Sequence, residues 1–397
     1  MQLVEQHVIK RTDSRYQAID EAAFASKNLY NAANYEIRQS FIHQGKYLCY
    51  EEMHARMKDH PAYKALPRKV SQQVLRLLHK NWVSFFEALK AYQEDPSQFL
   101  GRPCLPGYKD KQHGRNILVY TIQAISKPAL AHGMIVPSGL PIIVETKHQN
   151  VDQVRIIPRA GYFVVEVVYE QAETKPDVNA TLYAGIDIGI DNLATLTSNK
   201  VGFVPRIVNG RPLKSINQFY NKRKAELQSI LKDTRFTARM ERITTRRTRR
   251  IDHYLHTASR RIIDLLVSEG IGTLVIGKNP NWKQEINIGK RNNQQFVCIP
   301  HARFIDMLTY KARLVGITVL VTEESYTSKC SFLDNEPIEK HEQYTGKRVK
   351  RGLFRASTGQ HINADVNGSY NIVRKVVPDA FGQRDRGCVV HPARLAV

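Results

Sequence analysis

Two aspartates in this sequence occupy positions where a carboxylate could do chemistry. Asp187 lies within the apolar segment 183–196, whose pattern predicts a strand, a glycine turn and a second strand. An acid in an apolar strand is costly to bury, so Asp187 is either a cap or ion-pair partner for the turn, or a metal ligand at the carboxyl end of a sheet. Asp365 stands at the start of the predicted helix 362–372, where Asp is also a favoured terminal residue. Both interpretations stay open for the pair alone.

A third acid near these two would favour metal-dependent cleavage of a phosphodiester. Mg²⁺ prefers carboxylate oxygen, and two such ions ~3.5–4 Å apart can neutralise the phosphate and activate a water. Three carboxylates gathered from distant chain positions repel one another unless a cation lies between them. The chemistry predicted by such a triad is hydrolysis of nucleic acid with two Mg²⁺ ions.

The elements that would position these acids fall into zones that differ in their pattern of apolar residues. Up to about residue 115 the apolar residues recur at spacings of three and four, which predicts amphipathic helices. Segment 116–180 is rich in β-branched and aromatic runs, and with the strand candidate 3–9 it predicts a compact β-barrel or sandwich around a helical insertion. From residue 181 strands alternate with helices, which is typical of an α/β sheet. The fold class expected is therefore multidomain α+β.

Charge is the strongest compositional signal. The 397 residues include 59 Lys and Arg against 37 Asp and Glu, a formal net charge of +22, which favours a polyanionic partner. The chain carries no apolar run of about 18 residues and no signal-peptide pattern at its start, so we expect no membrane partner. Five scattered cysteines fit a reducing cytosol rather than a disulfide framework, and the expected location is cytoplasmic, in a prokaryote and associated with the nucleoid.

Three segments carry a resemblance to a known family. These are GIDIGIDNLAT (185–195), YTSKCS (326–331) and NADVNGSYNI (363–372), supported by LYNAANYEIRQ (29–39) and GRPCLPGYK (101–109). They resemble TnpB proteins, the transposon-encoded RNA-guided nucleases with a RuvC (RNase H-like) domain, which are similar to Fanzor proteins and to the ancestors of type V CRISPR effectors. The resemblance covers about residues 3 to 375.

The resemblance implies a domain plan and a set of partners. The partners would be a guide RNA from the transposon end and a double-stranded DNA target next to a short transposon-adjacent motif, with sequence read by guide pairing. Asp187 matches the first RuvC aspartate and Asp365 the last. The implied domains are a β-barrel wedge (1–20 and 116–180), a helical recognition domain (21–115), a RuvC-like α/β domain (181–324 and 361–378), a small insertion (325–360) and a tail (379–397).

The middle acid of the family pattern departs from expectation. The family usually has Glu at the end of the strand matching 271–276, where this chain has Gly277. Either the nuclease is inactive, or a replacement glutamate lies further on, as in Fanzor proteins and some TnpB relatives. Glu324 is the residue we predict, with Glu323 as the alternative because only one of two strand neighbours faces a given side. A solvated acidic turn is the structural alternative, and Glu285 is a weaker candidate.

The insertion departs from the family as well. Relatives commonly carry two cysteine pairs here, but only Cys330 remains, and the other positions are Leu333, Arg355 and Thr358. One thiolate cannot build a tetrahedral site, so we predict no structural zinc and a segment held by packing. Two basic regions are the candidate nucleic-acid contacts, although either could be a solvated surface: Arg235, Arg239, Arg242, Arg246, Arg247, Arg249 and Arg250, then Lys347, Arg348, Lys350 and Arg351.

The sequence therefore predicts an Mg²⁺-dependent RNA-guided DNA endonuclease in which Asp187, Glu324 and Asp365 bind two metal ions. Two alternatives remain. Gly277 favours a nuclease-dead, RNA-guided DNA-binding repressor. An RNase H-like transposase or resolvase guided by protein alone would need no RNA.

Overall fold

The computed structural model describes residues 1–174, 178–231, 237–279, 289–382 and 390–397, with the backbone alone at 290–292 and 295. The chain divides into two compact units, Met1–Gln171 and Ala172–Val397. None of the helices in these ranges has the length and apolarity needed to cross a bilayer.

The first unit combines long helices with a small sheet. Its strands are β1 (Gln2–Lys10), β2 (Leu118–Thr121), β3 (Met134–Ile135), β4 (Val144–Glu145), β5 (Val151–Arg159) and β6 (Tyr162–Glu170), and its helices are α1 (Tyr16–Gln44), α2 (Tyr50–Met57), α3 (Pro61–Lys64), α4 (Arg68–Glu94) and α5 (Lys127–Ala131).

The sheet of the first unit is open, so the predicted β-barrel is wrong. Its strand order is β1-β6-β5-β2 with antiparallel neighbours, and β3 pairs only with β4 within this fully described unit. One core contains buried side chains from the helices and the strands together, such as Leu29, Leu78, Val154 and Val165. Because α1 and α4 supply apolar cover for the strands, the sheet does not need to close on itself to bury its apolar face.

The two apolar stripes that predict helices in this unit are confirmed. Leu29, Ala33 and Ile37 are buried along α1, and Val74 and Leu78 along α4. Their spacing of three or four residues places them on one face of each helix.

The second unit contains the remaining elements. Its strands are β7 (Asn179–Asp187), β8 (Asn192–Ser198), β9 (Arg206–Asn209), β10 (Ile271–Gly277), β11 (Thr318–Thr322), β12 (Lys347–Lys350), β13 (Leu353–Arg355), β14 (His361–Asn363) and β15 (Ala393–Leu395), and its helices are α6 (Arg211–Ile230), α7 (Ala238–Ser268), α8 (Lys290–Cys298), α9 (His301–Leu314) and α10 (Ala364–Val376).

A six-stranded sheet organises this unit, in the order β11-β10-β7-β8-β9-β15. Strands β7, β10 and β11 run parallel, whereas β8 is antiparallel to both β7 and β9. The predicted alternation of strands and helices is confirmed. The tail contributes β15, which pairs in parallel with β9.

The segment before α10 has its own small core. Strands β12, β13 and β14 form an antiparallel sheet, and Phe332, Phe354 and Ile362 pack with Tyr370 of α10. Three polar side chains of α10 also hold the backbone of 327–336. Asn367, Asn371 and Arg374 hydrogen-bond to carbonyl or amide groups there at 2.8–3.0 Å, including Cys330 O and Glu336 O. The segment is thus attached to the helix that carries Asp365.

Candidate functional site

Three parallel strands end side by side at one edge of the six-stranded sheet. Ile186 is paired with Ile276, so Asp187 and Gly277 end their strands at the same level, and Gly277 is paired with Thr322 at the end of β11. Since the carboxyl ends of parallel strands share one edge, residues that follow them are close in space although far apart in sequence.

Glu324 enters this edge from the residues after β11. Its Oε1 accepts a hydrogen bond from Asn279 Nδ2 at 3.1 Å, and its backbone N–H donates to Asn279 Oδ1 at 3.1 Å. Glu324 is half-buried, whereas Glu323 is exposed and its carboxylate accepts a hydrogen bond from Ser325 Oγ. The structure therefore brings Glu324, and not Glu323, to the strand ends. Glu285 lies outside the described residues.

Glycine at position 277 leaves the space that Glu324 uses. A Cβ built there would lie 2.9 Å from Glu324 Oε2, 3.2 Å from Glu324 Cβ and 2.7 Å from Ile372 Cδ1. These separations are shorter than ordinary van der Waals contacts. A side chain at position 277 would therefore compete for space with the side chain of Glu324.

Asp365 approaches from the first turn of α10. The cap of that helix is Asn363, whose Oδ1 accepts from the N–H groups of Asp365 and Val366 at 3.0 and 3.1 Å. The Asp365 carboxylate therefore does not cap its own helix. Its Oδ2 accepts a hydrogen bond from Asn192 Nδ2 at 2.7 Å, and its Oδ1 lies 3.8 Å from Arg348 Nη2.

The helix bearing Asp365 also passes close to Asp187. A Cβ at Gly368 would be 3.0 Å from Asp187 Oδ2, so a larger residue would push against that carboxylate. The turn after Asp187 is closed by backbone groups, with Gly189 N donating to Leu193 O at 3.4 Å.

The electrostatics show that Glu324 and Asp365 act on the carboxyl group of Asp187. Burial, and then the negative charges of Glu324 and Asp365, raise the pKa of Asp187 well above its usual range, although Arg348 opposes the shift. Burial raises the pKa of Glu324 to about 7, with Lys375 opposing. Bringing three carboxyl groups together without a cation is thus costly in this fold.

A cavity of about 410 Å³ opens beside two of these acids and is lined by Asp187, Asp365, Asn192 and three arginines, Arg211, Arg348 and Arg351. Arg351 forms an ion pair with Asp191, which also accepts a hydrogen bond from Lys214. Although burial opposes it, the hydrogen bond from Lys214 lowers the pKa of Asp191 below its usual range. The lining therefore carries both carboxylates and arginines, and two of the arginines lie against carboxylates.

The donor set suits a hard divalent cation. Asp187, Glu324 and Asp365 offer only carboxylate oxygen, the ligand type that Mg²⁺ prefers. Among the described residues, no three His, Cys, Asp or Glu side chains are arranged to enclose a single ion. The chemistry of the groups fits Mg²⁺, and the carboxylates would have to move closer to hold it.

The predicted basic contacts divide into exposed and internal residues. In α7 an arginine stripe, defined as Arg239, Arg242, Arg246 and Arg250, is exposed, and its spacing puts it on one helix face. Arg247 points inward and donates to Asn217 Oδ1 and Cys298 O at 2.8 Å. Arg249 is half-buried, and Arg235 lies outside the described residues. Lys347 and Lys350 of β12 are exposed together with Arg348 and Arg351.

Sequence reasoning missed two asparagines that contact the acids. Asn192 sits inside a segment used for the resemblance, but its only signal is an amide just before an apolar strand. Asn279 lies two residues after Gly277, the position at which this chain departs from the family pattern. No sequence pattern links Asn279 to Glu324, because the contact joins residues 45 positions apart.

Comparisons with known proteins agree with this architecture. Residues 166–283 match the OrfB_IS605 family, described as "Probable transposase", and residues 301–372 match the "Cas12f1-like, TNB domain" family. The TnpB-like protein ORF457 of Acidianus two-tailed virus is 25% identical over 393 residues, covering 89% of this chain and 82% of the viral protein. The CRISPR-associated endodeoxyribonuclease Cas12f1 of Sulfoacidibacillus thermotolerans is 31% identical over 119 residues, which are 30% of this chain and 25% of that protein.

A solved structure shows the same fold. The protein chain of a Cas12f1–sgRNA–target DNA complex superposes with a TM-score of 0.56 at 13% identity, covering 90% of this chain and 83% of that one. The two domain matches and the viral relative together support a TnpB-family protein.

Proposed function

We propose that this protein is an RNA-guided DNA endonuclease, encoded by a transposon, that cuts DNA next to a short transposon-adjacent motif. The observation that carries the proposal is the placement of three acids near the ends of β7, β10 and β11: Glu324 lies against Gly277, and Gly368 of the helix that bears Asp365 lies against Asp187. Burial, and then the charges of Glu324 and Asp365, raise the pKa of Asp187. Clusters of acids with strongly perturbed pKa values are typical of functional sites.

The relatives support the nuclease class and its partners. One is named an endodeoxyribonuclease, and another was solved with guide RNA and target DNA. In the sheet, β7, β8 and β9 are antiparallel neighbours, and β10 and β11 continue from β7 in parallel. This arrangement supports the RNase H-like interpretation of the second unit. The open sheet and helices of the first unit would then correspond to the wedge and recognition regions.

In this proposal Asp187, Glu324 and Asp365 would hold two Mg²⁺ ions. When bound, such ions neutralise the scissile phosphate and lower the pKa of a water. Asn192 fixes the orientation of Asp365 through its 2.7 Å hydrogen bond. The nearly uniform positive charge of the arginine stripe suits backbone phosphates of the guide RNA or the DNA. The product would carry a 5′-phosphate, as the resemblance implies.

The proposal is tested by purifying the protein with its bound RNA and offering a plasmid library that carries the guided target. Cutting in Mg²⁺ by the wild type, and not by Asp187→Ala, is expected. Tight guided binding without cutting in Mg²⁺ or Mn²⁺ would contradict the nuclease and favour the RNA-guided repressor that Gly277 suggests. Cutting by a preparation free of any discrete RNA would favour a transposase or resolvase guided by protein alone.

A further inference from the structure

Asn279 makes a two-way contact with the glutamate that the proposed function places in the site. Its amide nitrogen donates to Glu324 Oε1 and its amide oxygen accepts from Glu324 N–H, both at 3.1 Å. The same side chain therefore holds the carboxylate and the backbone of one residue. Because the backbone N–H and one carboxylate oxygen of Glu324 are both held, its side chain has few orientations left.

The surrounding backbone places Asn279 for this contact. Strand β10 ends at Gly277 beside Thr322, and Lys278 N donates to Thr322 O at 2.8 Å, which carries the pairing one residue past the strand. Asn279 is the next residue. Its side-chain hydrogen bonds to Glu324 connect the segments after β10 and β11 at the point where their backbone hydrogen bonds stop. Asn279 therefore directly follows a residue whose backbone is paired with the end of β11.

We infer that Asn279 is the positioning residue for Glu324, and that it sets which carboxylate oxygen is left free to bind a metal. With Oε1 engaged by Asn279, Oε2 is the oxygen directed toward the space left by Gly277. This inference rests on the proposed function, because it assigns Asn279 a task only if Glu324 binds a metal. Hydrogen-bonding partners of metal-ligating carboxylates typically change metal affinity or activity by about 10–100-fold when they are removed.

Among the described residues, the other groups around Glu324 do not hold its carboxylate in this way. Ile372 offers only a methyl group near Gly277. Lys375 influences the Glu324 carboxyl by its charge, while its Nζ donates to Ser325 O at 3.2 Å. Asn279 is thus the neutral donor that leaves the negative charge of Glu324 intact for a cation.

The variants Asn279→Ala and Asn279→Leu test this inference; the second keeps more of the side-chain volume. The control is Asn199→Ala. Asn199 makes a similar two-way contact: its Oδ1 accepts from Tyr183 N at 2.7 Å and its Nδ2 donates to Thr181 O at 3.1 Å. Neither contact involves an acid. Binding of Mn²⁺ to the protein–RNA complex is measured by electron paramagnetic resonance of the free ion, and thermal melting in EDTA checks that each variant is folded.

Both Asn279 variants are expected to weaken Mn²⁺ binding about tenfold. The Mg²⁺ concentration for half-maximal cutting should rise by a similar factor, with guided DNA binding unchanged and Asn199→Ala equal to wild type. Excess metal should restore cutting, which would not occur if Asn279 only maintained the fold. Mn²⁺ affinity within twofold of wild type in both variants would overturn the inference.

A parallel Glu324→Gln variant separates this inference from the proposed function. If Glu324→Gln weakens Mn²⁺ binding and the Asn279 variants do not, the positioning role is wrong and the metal site stands. If Glu324→Gln also leaves Mn²⁺ binding unchanged, Glu324 is not a ligand, and both the inference and the proposed site are wrong.

Discussion

Replacing Glu324 with glutamine is expected to remove a pH-dependent loss of stability from the metal-free protein. Burial raises the pKa of Glu324 from 4.5 to about 7 in the folded chain. The folded state therefore keeps a proton that the unfolded chain releases, and the stability contributed by this group is lost as pH rises from about 4.5 to about 7. Glutamine cannot ionise and escapes that loss.

The size of the effect follows from the two pKa values. Each pH unit between them is worth about 1.4 kcal/mol, so a pKa raised from 4.5 to about 7 corresponds to at most about 3 kcal/mol. Water reaches part of this half-buried side chain, which makes that figure an upper bound. At about 2–4 °C per kcal/mol for a unit of this size, the melting temperature of Glu324→Gln should exceed that of wild type by several degrees at pH 8 and by little at pH 5. Glu324 is also one cause of the raised pKa of Asp187, so its removal relieves that group as well.

The assay is thermal unfolding in EDTA at pH 5, 6, 7 and 8, followed by circular dichroism. Glu323→Gln is the matched control, because it changes the exposed neighbour and should keep the wild-type pH dependence. Adding Mg²⁺ at pH 8 should stabilise the wild type and not Glu324→Gln. A difference between Glu324→Gln and wild type that is the same at pH 5 and pH 8 would refute the reasoning.

Three further predictions use other parts of the fold. Gly277→Ala should reduce cutting about tenfold or more without weakening guided binding, because its Cβ would lie 2.9 Å from Glu324 Oε2 and displace that carboxylate; unchanged cutting rates would contradict this. Alanine at all four positions of the arginine stripe should lower the salt dependence of RNA or DNA binding by a slope of about 3, whereas Arg247→Ala should lower stability instead; binding titrations at several salt concentrations and melting curves distinguish them. Glu336→Ala should destabilise the segment around it by roughly 2–4 kcal/mol, because its buried carboxylate accepts from Ser331 N and Thr345 N at 2.6 and 2.7 Å; hydrogen exchange of those amides should show it, and exchange at the wild-type rate would not fit.

The helices and the second sheet could be predicted from sequence because their patterns are local. Val74 and Trp82 recur at helical spacing, and 271–276 is a continuous apolar run that forms the central strand β10. The closure of the first sheet could not be predicted in this way. Whether an edge strand such as β1 pairs with another strand or stays at the edge depends on how α1 and α4 cover the sheet, which periodicity does not encode.

The candidate site was predictable in its acids and not in their support. A buried Asp in an apolar strand and an acid pair after another strand are visible as residue types, so Asp187 and Glu324 could be named. The choice between Glu323 and Glu324 depends on the backbone after β11, and the contacts of Asn192 and Asn279 join residues more than 40 positions apart. Hydrogen bonds of that kind leave no periodic signal in a single sequence.

Guided DNA cutting in Mg²⁺ by Glu324→Ala and Glu323→Ala, side by side with wild type, tests the central claim most directly. Guided DNA binding, measured on the same preparations, serves as the control for folding and RNA loading. The proposed site predicts that Glu324→Ala binds its target and does not cut, whereas Glu323→Ala and the wild type both cut. Cutting by Glu324→Ala at the wild-type rate, or loss of cutting only in Glu323→Ala, would contradict it.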